Sequence, residues 1–393
     1  MISVYLYYFL AAISCWFGIQ SLLSGIRYAA YVRRETSREL PDFHPFASVI
    51  VPGRGLEPGL AENLRPLLEQ DYPRYEVLFV FDRENDPAAG LVKHGSSRIS
   101  RTIIAGPATD CGQKVHNLRV AVEEIDPRSE VLVFADTDAR PAHDWLRKLV
   151  APLADETLGA STGYRWFIPD RGGIASWLRS VWNASVASAL GSDTAKNFCW
   201  GGSTAIRRTT FIRLNVSERW RGSISDDFTL THVLKEAKLP IHFTPLCLVA
   251  SIGDCDFREL IDFTTRQIKL TRVYASHLWL PLLLGSSLFT IAFFGGLILI
   301  GFHSRVYIFP LTIFALGAAK SVVRFRAVSS VLRTSHRDLF AHIFLWPFAS
   351  LLYLYNAILA GFSRRIEWRG ITYELKSPNE AVIISRELNH LND

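Results

Sequence analysis

Residues 131–141 read VLVFADTDARP, and this stretch decides how the rest of the chain is best interpreted. Five apolar residues lead directly into Asp136 and Asp138, which are separated by one threonine. The apolar run predicts a strand buried on both faces, and Pro141 predicts where it stops. The two carboxylates then lie at the end of a buried strand, where open α/β sheets bind their ligands. An Asp-x-Asp turn can hold a hard divalent cation, although aspartate is also common in ordinary turns.

The composition indicates a membrane-associated protein rather than a soluble basic one. The 393 residues carry a net charge of +6, yet only 20% are charged and the mean hydropathy is +0.15. Arginines and lysines that flank membrane segments explain the positive charge. The sequence has no zinc-finger spacing and no basic helix interleaved with stacking aromatics, so no nucleic-acid partner is expected. The five cysteines form no C-x-x-C pair, which argues against a disulfide framework or a zinc site.

The first part of the sequence is apolar and long enough to cross a bilayer. Residues 4–30 contain no charge before Arg27, and they lack a basic start and an A-x-A cleavage site. Residues 1–31 are therefore predicted to be a retained transmembrane anchor rather than a signal peptide. Arginines follow the apolar stretch at Arg27, Arg33, Arg34 and Arg38. By the positive-inside rule they place the next segment in the cytoplasm.

Residues 45–278 are predicted to form an α/β domain. Strands are predicted at 47–52, 76–81, 101–104, 131–135 and 162–166. Helices are predicted at 63–69, 114–124, 172–190 and 226–236. The alternation in the first half implies a mostly parallel, doubly wound sheet. A basic amphipathic stretch at 266–272 ends the domain, and it is also typical of a helix that lies on lipid headgroups.

Residues 279–362 are predicted to form a C-terminal membrane domain. Apolar spans are expected near 279–302 and 306–323, joined as a helical hairpin. A further apolar run at 339–362 is broken by Pro347, and it either spans the membrane or is re-entrant. Arginines after this run oppose a full span under the positive-inside rule, so the re-entrant alternative is favoured. Residues 363–393 are predicted to be a basic cytoplasmic tail.

Three acidic clusters occur in chain order within the α/β domain, each at the end of a predicted strand or the start of a helix. They are Asp82 with Asp86, Asp136 with Asp138, and Asp226 with Asp227. Transfer of a sugar from a nucleotide donor needs such a set: one acid for the nucleoside, one for a metal-bound diphosphate, and one as the base that deprotonates an acceptor hydroxyl. The alternative for Asp226 and Asp227 is that they only favour a helix N-terminus through its dipole.

The chain resembles the family 2/21 GT-A glycosyltransferases, and most closely the ceramide glucosyltransferase group with its bacterial, hopanoid-type lipid glycosyltransferase relatives. The resemblance covers roughly residues 47–275 and returns weakly at 367–370. It rests on ordered matches at Asn63-Leu64, 71–77, Asp86-Pro87, Lys114 with Asn117-Leu118, Asp136-x-Asp138, Gly201-Gly202-Ser203 and Asp226-Asp227. It implies a GT-A fold, a UDP-sugar donor, a Mg²⁺ or Mn²⁺ cofactor, a membrane lipid acceptor, and inversion at the anomeric carbon.

The resemblance also implies a role for individual residues. Asp82, Asp86, Lys114 and Asp136 would bind the nucleotide, and Asp136 and Asp138 the metal. Asp227 would be the catalytic base, with Asp226 beside it. Acceptor or sugar contacts are implied for Trp200, Gly201, Gly202, Arg266 and Lys269.

One stretch departs from the family pattern. The (Q/R)-x-x-R-W motif that usually precedes the membrane segment reads Arg266-Gln267-Ile268-Lys269-Leu270 here. Lysine keeps the charge but loses the bidentate fork of arginine, and leucine removes a flat aromatic surface. Three functions therefore remain open: a lipid glycosyltransferase acting on ceramide-like, hopanoid or other acceptors, a processive polysaccharide synthase, and a non-catalytic membrane protein with the same fold.

Overall fold

A computed structural model describes residues 2–94 and 99–386 of the chain. Contacts divide the chain into two compact units, each built from segments that are separate in sequence. The sheet unit consists of Glu35–Trp166, Ser192–Ile252 and Arg364–Asp393. The helical unit consists of Met1–Arg34, Phe167–Gly191 and Gly253–Ser363.

Strands and helices together account for most of the described residues. The strands are β1 (Ala47–Pro52), β2 (Tyr75–Phe81), β3 (Ser100–Ile104), β4 (Val131–Ala135), β5 (Ala160–Ile168), β6 (Ser203–Arg207), β7 (Ile241–Ile252), β8 (Arg365–Trp368), β9 (Ile371–Ser377) and β10 (Glu380–Arg386). The helices are α1 (Ile2–Thr36), α2 (Leu60–Leu68), α3 (Pro87–His94), α4 (Gln113–Glu123), α5 (Trp145–Val150), α6 (Ile174–Ala187), α7 (Arg208–Arg213), α8 (Val216–Arg219), α9 (Asp226–Glu236), α10 (Phe257–Tyr274), α11 (Ser276–Thr290), α12 (Gly296–Leu299), α13 (Ile308–Ser329), α14 (His336–Phe344) and α15 (Trp346–Phe362).

The sheet unit is built on a seven-stranded sheet with the order β3-β2-β1-β4-β6-β5-β7. β1 pairs in parallel with β2 and β4, and β2 pairs in parallel with β3. β6 runs antiparallel to β4 and β5. Because β1, β2 and β4 point the same way, the turns that follow them meet at one edge of the sheet. This arrangement confirms the predicted α/β fold class with its mostly parallel sheet.

The central strands form because their side chains are apolar on both faces. Every residue of β1 and β4 is buried, as expected for strands that are covered on both sides. Phe134 of β4 packs against Phe211 and Trp220, with ring centroids 6.3 Å and 5.5 Å away. The observed bounds of β1, β2, β3, β4, β5, α2, α4 and α9 agree with the predicted ones within a few residues.

A second, three-stranded antiparallel sheet with the order β10-β9-β8 lies in the segment that the sequence analysis treated as a basic tail. Every second residue of β9 is buried, at Ile371, Tyr373 and Leu375. The tyrosine hydroxyl of Tyr373 accepts a hydrogen bond of 3.1 Å from the backbone N–H of Gln113. The described part of residues 363–393 is therefore an ordered part of the sheet unit, and the rest of that segment, 387–393, lies outside the described residues.

The helical unit groups α6 and α10 with the C-terminal helices, although the predicted domain of residues 45–278 includes both. The physical reason is an apolar cluster in which Trp182 of α6 and Leu260 of α10 pack with Ala349 and Leu352 of α15. The ring of Trp182 also stacks on that of Tyr353, 4.7 Å between centroids. The boundary predicted at residue 278 therefore differs from the division by contacts.

Three helices of the described chain are long and apolar enough to cross a membrane. They are Val4–Thr36, Ser276–Leu299 and Ser304–Ser329, in the places where the sequence predicts spans. α14 and α15 pass the same test only together, and they are bent by 59° at their junction. The bend follows from Pro347 near the start of α15, since proline cannot continue the hydrogen bonds of α14. Large apolar side chains stay exposed along these helices, including Phe9, Trp16, Leu284 and Leu311.

Candidate active site

Lys114 is the centre of a charged cluster inside the sheet unit. Its Nζ atom lies 2.9 Å from Oδ1 of Asp136 and 3.1 Å from Oδ1 of Asp226. Asp136 directly follows β4, Asp226 is the first residue of α9, and Lys114 is the second residue of α4. Three segments that are distant in the sequence thus bring three predicted site residues together.

Burial sets the proton affinity of this cluster. Burial disfavours the charged form of Lys114, but Asp136 and Asp226 outweigh it and raise the pKa of the ammonium. Burial also disfavours ionised Asp136, but Lys114 and Arg165 outweigh it and lower the pKa of that carboxyl. Burial raises the pKa of Asp226 to about 6, because Lys114 opposes the rise only in part while Asp227 and Asp136 add to it. Lys114 and Asp136 are therefore charged near neutrality, whereas Asp226 titrates in the mildly acidic range.

Asp138 and Asp136 share a second cation, Arg165 of β5, which the sequence analysis did not single out. Its guanidinium donates to Oδ2 of Asp138 at 2.9 Å and to Oδ2 of Asp136 at 3.1 Å. The same group lies over the ring of Trp200, 4.8 Å from the ring centroid. The signal that could have found it is an arginine between two aromatic residues in a predicted buried strand, since a buried charge needs a partner.

Asp227 differs from the adjacent Asp226 in its hydrogen bonds and in its exposure to solvent. Oδ1 of Asp227 accepts a hydrogen bond of 2.8 Å from the N–H of Phe228 and another from the hydroxyl of Ser225. Ser225 is the N-cap of α9, as predicted. Asp227 is partly exposed while Asp226 is buried, so Asp227 has an oxygen that an incoming molecule can approach.

The Trp200–Ser203 turn closes over the charged cluster and needs its glycines. A β-carbon on Gly201 would overlap the Asp226 carboxylate and lie 2.6 Å from Nζ of Lys114. A β-carbon on Gly202 would overlap the Trp200 ring and lie 2.8 Å from Oδ2 of Asp136. Close backbone approach therefore requires glycine at both positions.

Asp82 and Asp86 lie at the end of β2 and are both buried. Oδ2 of Asp82 is ion-paired with Arg54, a residue that the sequence analysis did not select, and Oδ1 of Asp82 has no hydrogen-bond partner among the described residues. Both oxygens of Asp86 are engaged, one by the N–H of Gly55 and one by the N–H of Ala88, each at 2.9 Å. Asp86 therefore holds the backbone at Gly55 and Ala88 in place, whereas Oδ1 of Asp82 is an acceptor without a partner among the described residues.

Arg54 is itself held by the C-terminal sheet. Its Nε atom donates to the backbone oxygen of Arg369 at 3.0 Å, and the Arg369 side chain forms an ion pair with Glu57. Arg369 and Gly370 both have positive φ, 51° and 70°, in the tight turn that joins β8 to β9. The weak family match at residues 367–370 thus corresponds to a turn that positions the partner of Asp82.

The remaining predicted residues lie in the helical unit. Arg266 and Lys269 are on α10, where Arg266 approaches the ring of Phe263 at 5.9 Å and burial lowers the pKa of Lys269. They are outside the unit that contains the Lys114 cluster. Their predicted contact with the acceptor stays a prediction.

The donor chemistry of the site fits a hard divalent cation. Asp136 and Asp138 present carboxylate oxygens that converge on one cation, the Arg165 guanidinium. Among the described residues no group of three or more His, Cys, Asp or Glu side chains is placed to hold a metal ion. Mg²⁺ is commonly bound through one or two carboxylates, with water and substrate phosphates completing its coordination, so two aspartates suffice for that mode of binding.

Comparison with known proteins gives a family match over most of the chain. Residues 6–381 match glycosyl transferase family 21. Among solved structures, a mannosyltransferase from Pyrobaculum calidifontis in complex with GDP-Man and Mn²⁺ is similar over 89% of this chain and 98% of that chain, with 19% identity and a TM-score of 0.47. Glucosyl-3-phosphoglycerate synthase from Mycobacterium tuberculosis, with Mn²⁺ and UDP-glucose, is similar over 62% of this chain and 82% of that chain, with 15% identity and a TM-score of 0.39.

The family match includes both units described above, from α1 to the second residue of β10. It contains all the residues of the charged cluster and confirms the GT-A-type α/β fold predicted from the motifs. The protein therefore belongs to glycosyltransferase family 21, and it is an enzyme that transfers a sugar.

Proposed function

We propose that this enzyme transfers a sugar from a UDP-sugar to the hydroxyl group of a membrane lipid, with inversion at the anomeric carbon and with a divalent metal ion. The observation that carries the proposal is the Lys114 cluster, in which Asp136 and Asp226 share one buried ammonium while Asp138 and Asp136 share Arg165. It combines two cations for a diphosphate with two carboxylates for a metal ion.

The nucleotide would be recognised by the residues that follow β2 on one side of β1 and by those that follow β4 on the other side. The free Oδ1 of Asp82 is suited to accept a hydrogen bond from the N–H of a uracil ring, and its buried position makes such a bond selective. Gly53, which follows β1, packs against Phe81 of β2 and Thr137 of the Asp136 turn. The proposed base-binding acid, Asp82, and the proposed diphosphate-binding turn at Asp136 therefore follow segments that meet at Gly53.

The diphosphate would be held by groups that are already charged. Lys114 and Arg165 keep their positive charge at neutral pH because carboxylates surround them. Asp136 and Asp138 would hold Mg²⁺ or Mn²⁺, which supplies neutralisation of the negative charge on the leaving diphosphate. The side chains of Lys114 and Arg165 would orient the donor and exclude water from the phosphate oxygens.

Asp227 is the proposed catalytic base. It is partly exposed, and the Phe228 N–H and the Ser225 hydroxyl fix one of its oxygens, so the other can take the proton of an acceptor hydroxyl. Asp226 is buried on Lys114 and is better placed to tune the electrostatics of the cluster than to meet an acceptor. A single displacement assisted by one base inverts the configuration of the transferred sugar.

A lipid acceptor is supported by the three apolar helices and by the ceramide glucosyltransferase-like motifs. An enzyme anchored in the bilayer meets a lipid hydroxyl without extracting it into water. Arg33 and Arg34 in the last turn of α1 support an integral membrane protein whose sheet unit faces the cytoplasm. Arg266 and Lys269 on the amphipathic α10 are the proposed acceptor-side cations, and both ceramide-like and hopanoid-like acceptors fit this reading.

Mass spectrometry of lipid products tests the proposal. Membranes containing the protein are incubated with a panel of UDP-sugars and Mn²⁺ or Mg²⁺, and a lipid carrying one added sugar is expected. Asp227→Asn and Asp138→Asn are expected to abolish that product, whereas Asp193→Asn, a change in an exposed surface pair with Lys196, retains it. Long polymer without a glycolipid would instead identify a processive polysaccharide synthase and overturn the lipid acceptor.

A further inference from the structure

α13 carries two cations on one side of the helix within the helical unit. Lys320 and Arg324 are four residues apart and therefore lie one above the other on the helix surface. Arg324 is only 3% exposed, whereas Arg326, two residues further along, is exposed. The helix thus contains one arginine in each of two environments, and the buried one needs an explanation.

Lys320 is bound to α1 but not to an acid. Its ammonium donates to the hydroxyl of Ser21 at 2.8 Å. The stem of Lys320 lies directly against Gly25, where a β-carbon would be 3.0 Å from Cγ of the lysine. A hydroxyl accepts a hydrogen bond but leaves the charge of the ammonium uncompensated.

Among the residues that the structure describes, no acid compensates Arg324 either. The titratable groups near it are the phenols of Tyr28 and Tyr353, the ammonium of Lys320 and the imidazole of His342. Its buried Nε atom has no hydrogen-bond partner among the described residues. Four different helices surround the two cations, and none of them supplies a nearby carboxylate in the described part of the chain.

A buried Arg324 beside a half-buried Lys320, with no acid near them among the described residues, is unfavourable unless an anion from outside the chain binds the two cations. The cations lie in the second half of the candidate span Ser304–Ser329, toward the end that leads to Arg326 and Arg333. Basic pockets between spanning helices at this level take the phosphate groups of acidic lipids. The phenol of Tyr28 adds a polar group near Arg324, whereas the hydroxyl of Tyr353 already donates to the backbone oxygen of Trp182 at 2.9 Å.

We propose that Lys320 and Arg324, between α1, α13, α14 and α15, form a binding site for the phosphate group of an acidic membrane lipid. The proposal rests on the membrane location proposed above, and it is independent of the sugar donor and acceptor. Of the two cations of the site, Lys320 is the more exposed to solvent and Arg324 is the more buried.

Native mass spectrometry of the purified full-length protein tests the site directly. After incubation with phosphatidylglycerol or phosphatidylcholine in the same detergent, the wild-type protein is expected to retain phosphatidylglycerol preferentially. Lys320→Met and Arg324→Met should each weaken that retention by about fivefold or more. Arg326→Met is the matched control and should retain the lipid like wild type. Equal retention by all four proteins would overturn the proposal.

Thermal unfolding provides a second test, because the proposal predicts the sign of the change in stability both without and with acidic lipid. Without acidic lipid, Arg324→Met should be at least as stable as wild type because it removes an uncompensated buried charge. With phosphatidylglycerol, wild type should gain stability and the variant should not. Equal gains would contradict the site, and Lys320→Met provides the same comparison if Arg324→Met does not fold. The same gain from inorganic phosphate alone would overturn the assignment to a lipid.

Discussion

The ammonium of Lys114 lies 3.1 Å from a carboxylate oxygen of Asp226, and this pair joins the start of α4 to the start of α9. Asp226 nevertheless has a raised pKa of about 6, because burial opposes its ionisation and Asp227 and Asp136 add negative charge. The lysine is shared with Asp136, which also has Arg165, so Asp226 is the acid that is compensated only in part. The net charge of the cluster therefore changes with pH in the range where Asp226 titrates.

Asp226→Asn should change how stability depends on pH. Since the folded-state pKa of Asp226 is about 6 and its unfolded value is near 4, the folded state binds the proton more tightly. Ionisation of Asp226 thus costs stability as pH rises from about 4 to about 6, by roughly 2–3 kcal/mol in all. The free energy of unfolding of the asparagine variant, relative to wild type, should increase across this interval. Chemical denaturation in a pH series measures it, and parallel pH profiles would contradict the assignment.

Arg165→Gln should strengthen metal binding in the absence of nucleotide. In wild type the guanidinium occupies the space between Asp136 and Asp138 and competes with a cation. Removing it should raise the affinity for Mn²⁺ by about tenfold, as measured by electron paramagnetic resonance titration. The gain in Mn²⁺ affinity should disappear in the double variant that combines Arg165→Gln with Asp138→Asn. Arg219→Gln is the control, because it breaks only a surface pair with Glu236, and it should show no gain. Unchanged Mn²⁺ affinity in Arg165→Gln would refute the competition.

Arg54→Met should destabilise the protein, because it leaves the buried Asp82 carboxylate with the more distant Arg83 guanidinium, 3.7 Å from Oδ2, in place of its closest partner. The Arg54 and Asp82 side chains are both 4% exposed, and breaking such a pair from one side costs about 3–5 kcal/mol. Adding Asp82→Leu should restore much of the stability but abolish the affinity for UDP, measured by calorimetry. Arg147→Met, in an exposed pair with Asp71, should cost less than about 1 kcal/mol. A double variant that binds UDP like wild type would exclude Asp82 from the base site.

Gly201→Ala should impair catalysis through a steric clash in the charged cluster. The added methyl group would displace the Asp226 carboxylate and the Lys114 ammonium from their present contacts. We expect a destabilisation of about 1–3 kcal/mol and a large fall in kcat, measured with UDP-sugar and lipid acceptor. Gly191→Ala is the matched control, because a β-carbon there meets nothing within 4 Å. Equal activity of the two variants would show that the Gly201 turn is not part of the site.

The central strands and the acidic ends of β2 and β4 could be predicted because both signals are local. A run of apolar residues followed by aspartate marks the strand and its functional end within a single stretch of sequence. The N-cap at Ser225 is similarly local, since the serine and the N–H that it accepts are three residues apart. Apolar runs also sufficed to place the three candidate spans.

The cations that complete the site could not be predicted in the same way. Arg165 is 27 residues from Asp138, and Arg54 is 28 residues from Asp82, so only the strand order brings each pair together. Polar residues alternate with the buried Ile371, Tyr373 and Leu375, and this period of two is typical of a half-buried strand. The C-terminal sheet was therefore missed although its signal is local, because the segment was interpreted as a basic tail. The grouping of α6 with the C-terminal helices depends on packing at Trp182, for which the local sequence carries no signal.

The C-terminal sheet has a consequence for how the enzyme is made. A ribosome adds β8, β9 and β10 after the three candidate spanning helices of the described chain have been synthesised. Yet Arg369 in this sheet holds Arg54, and Tyr373 contacts the start of the helix that carries Lys114. The nascent chain therefore lacks these supports of Arg54 and of the Lys114 helix until its three candidate spanning helices have had the opportunity to insert, so the charged cluster is completed only after the C-terminal sheet has been made.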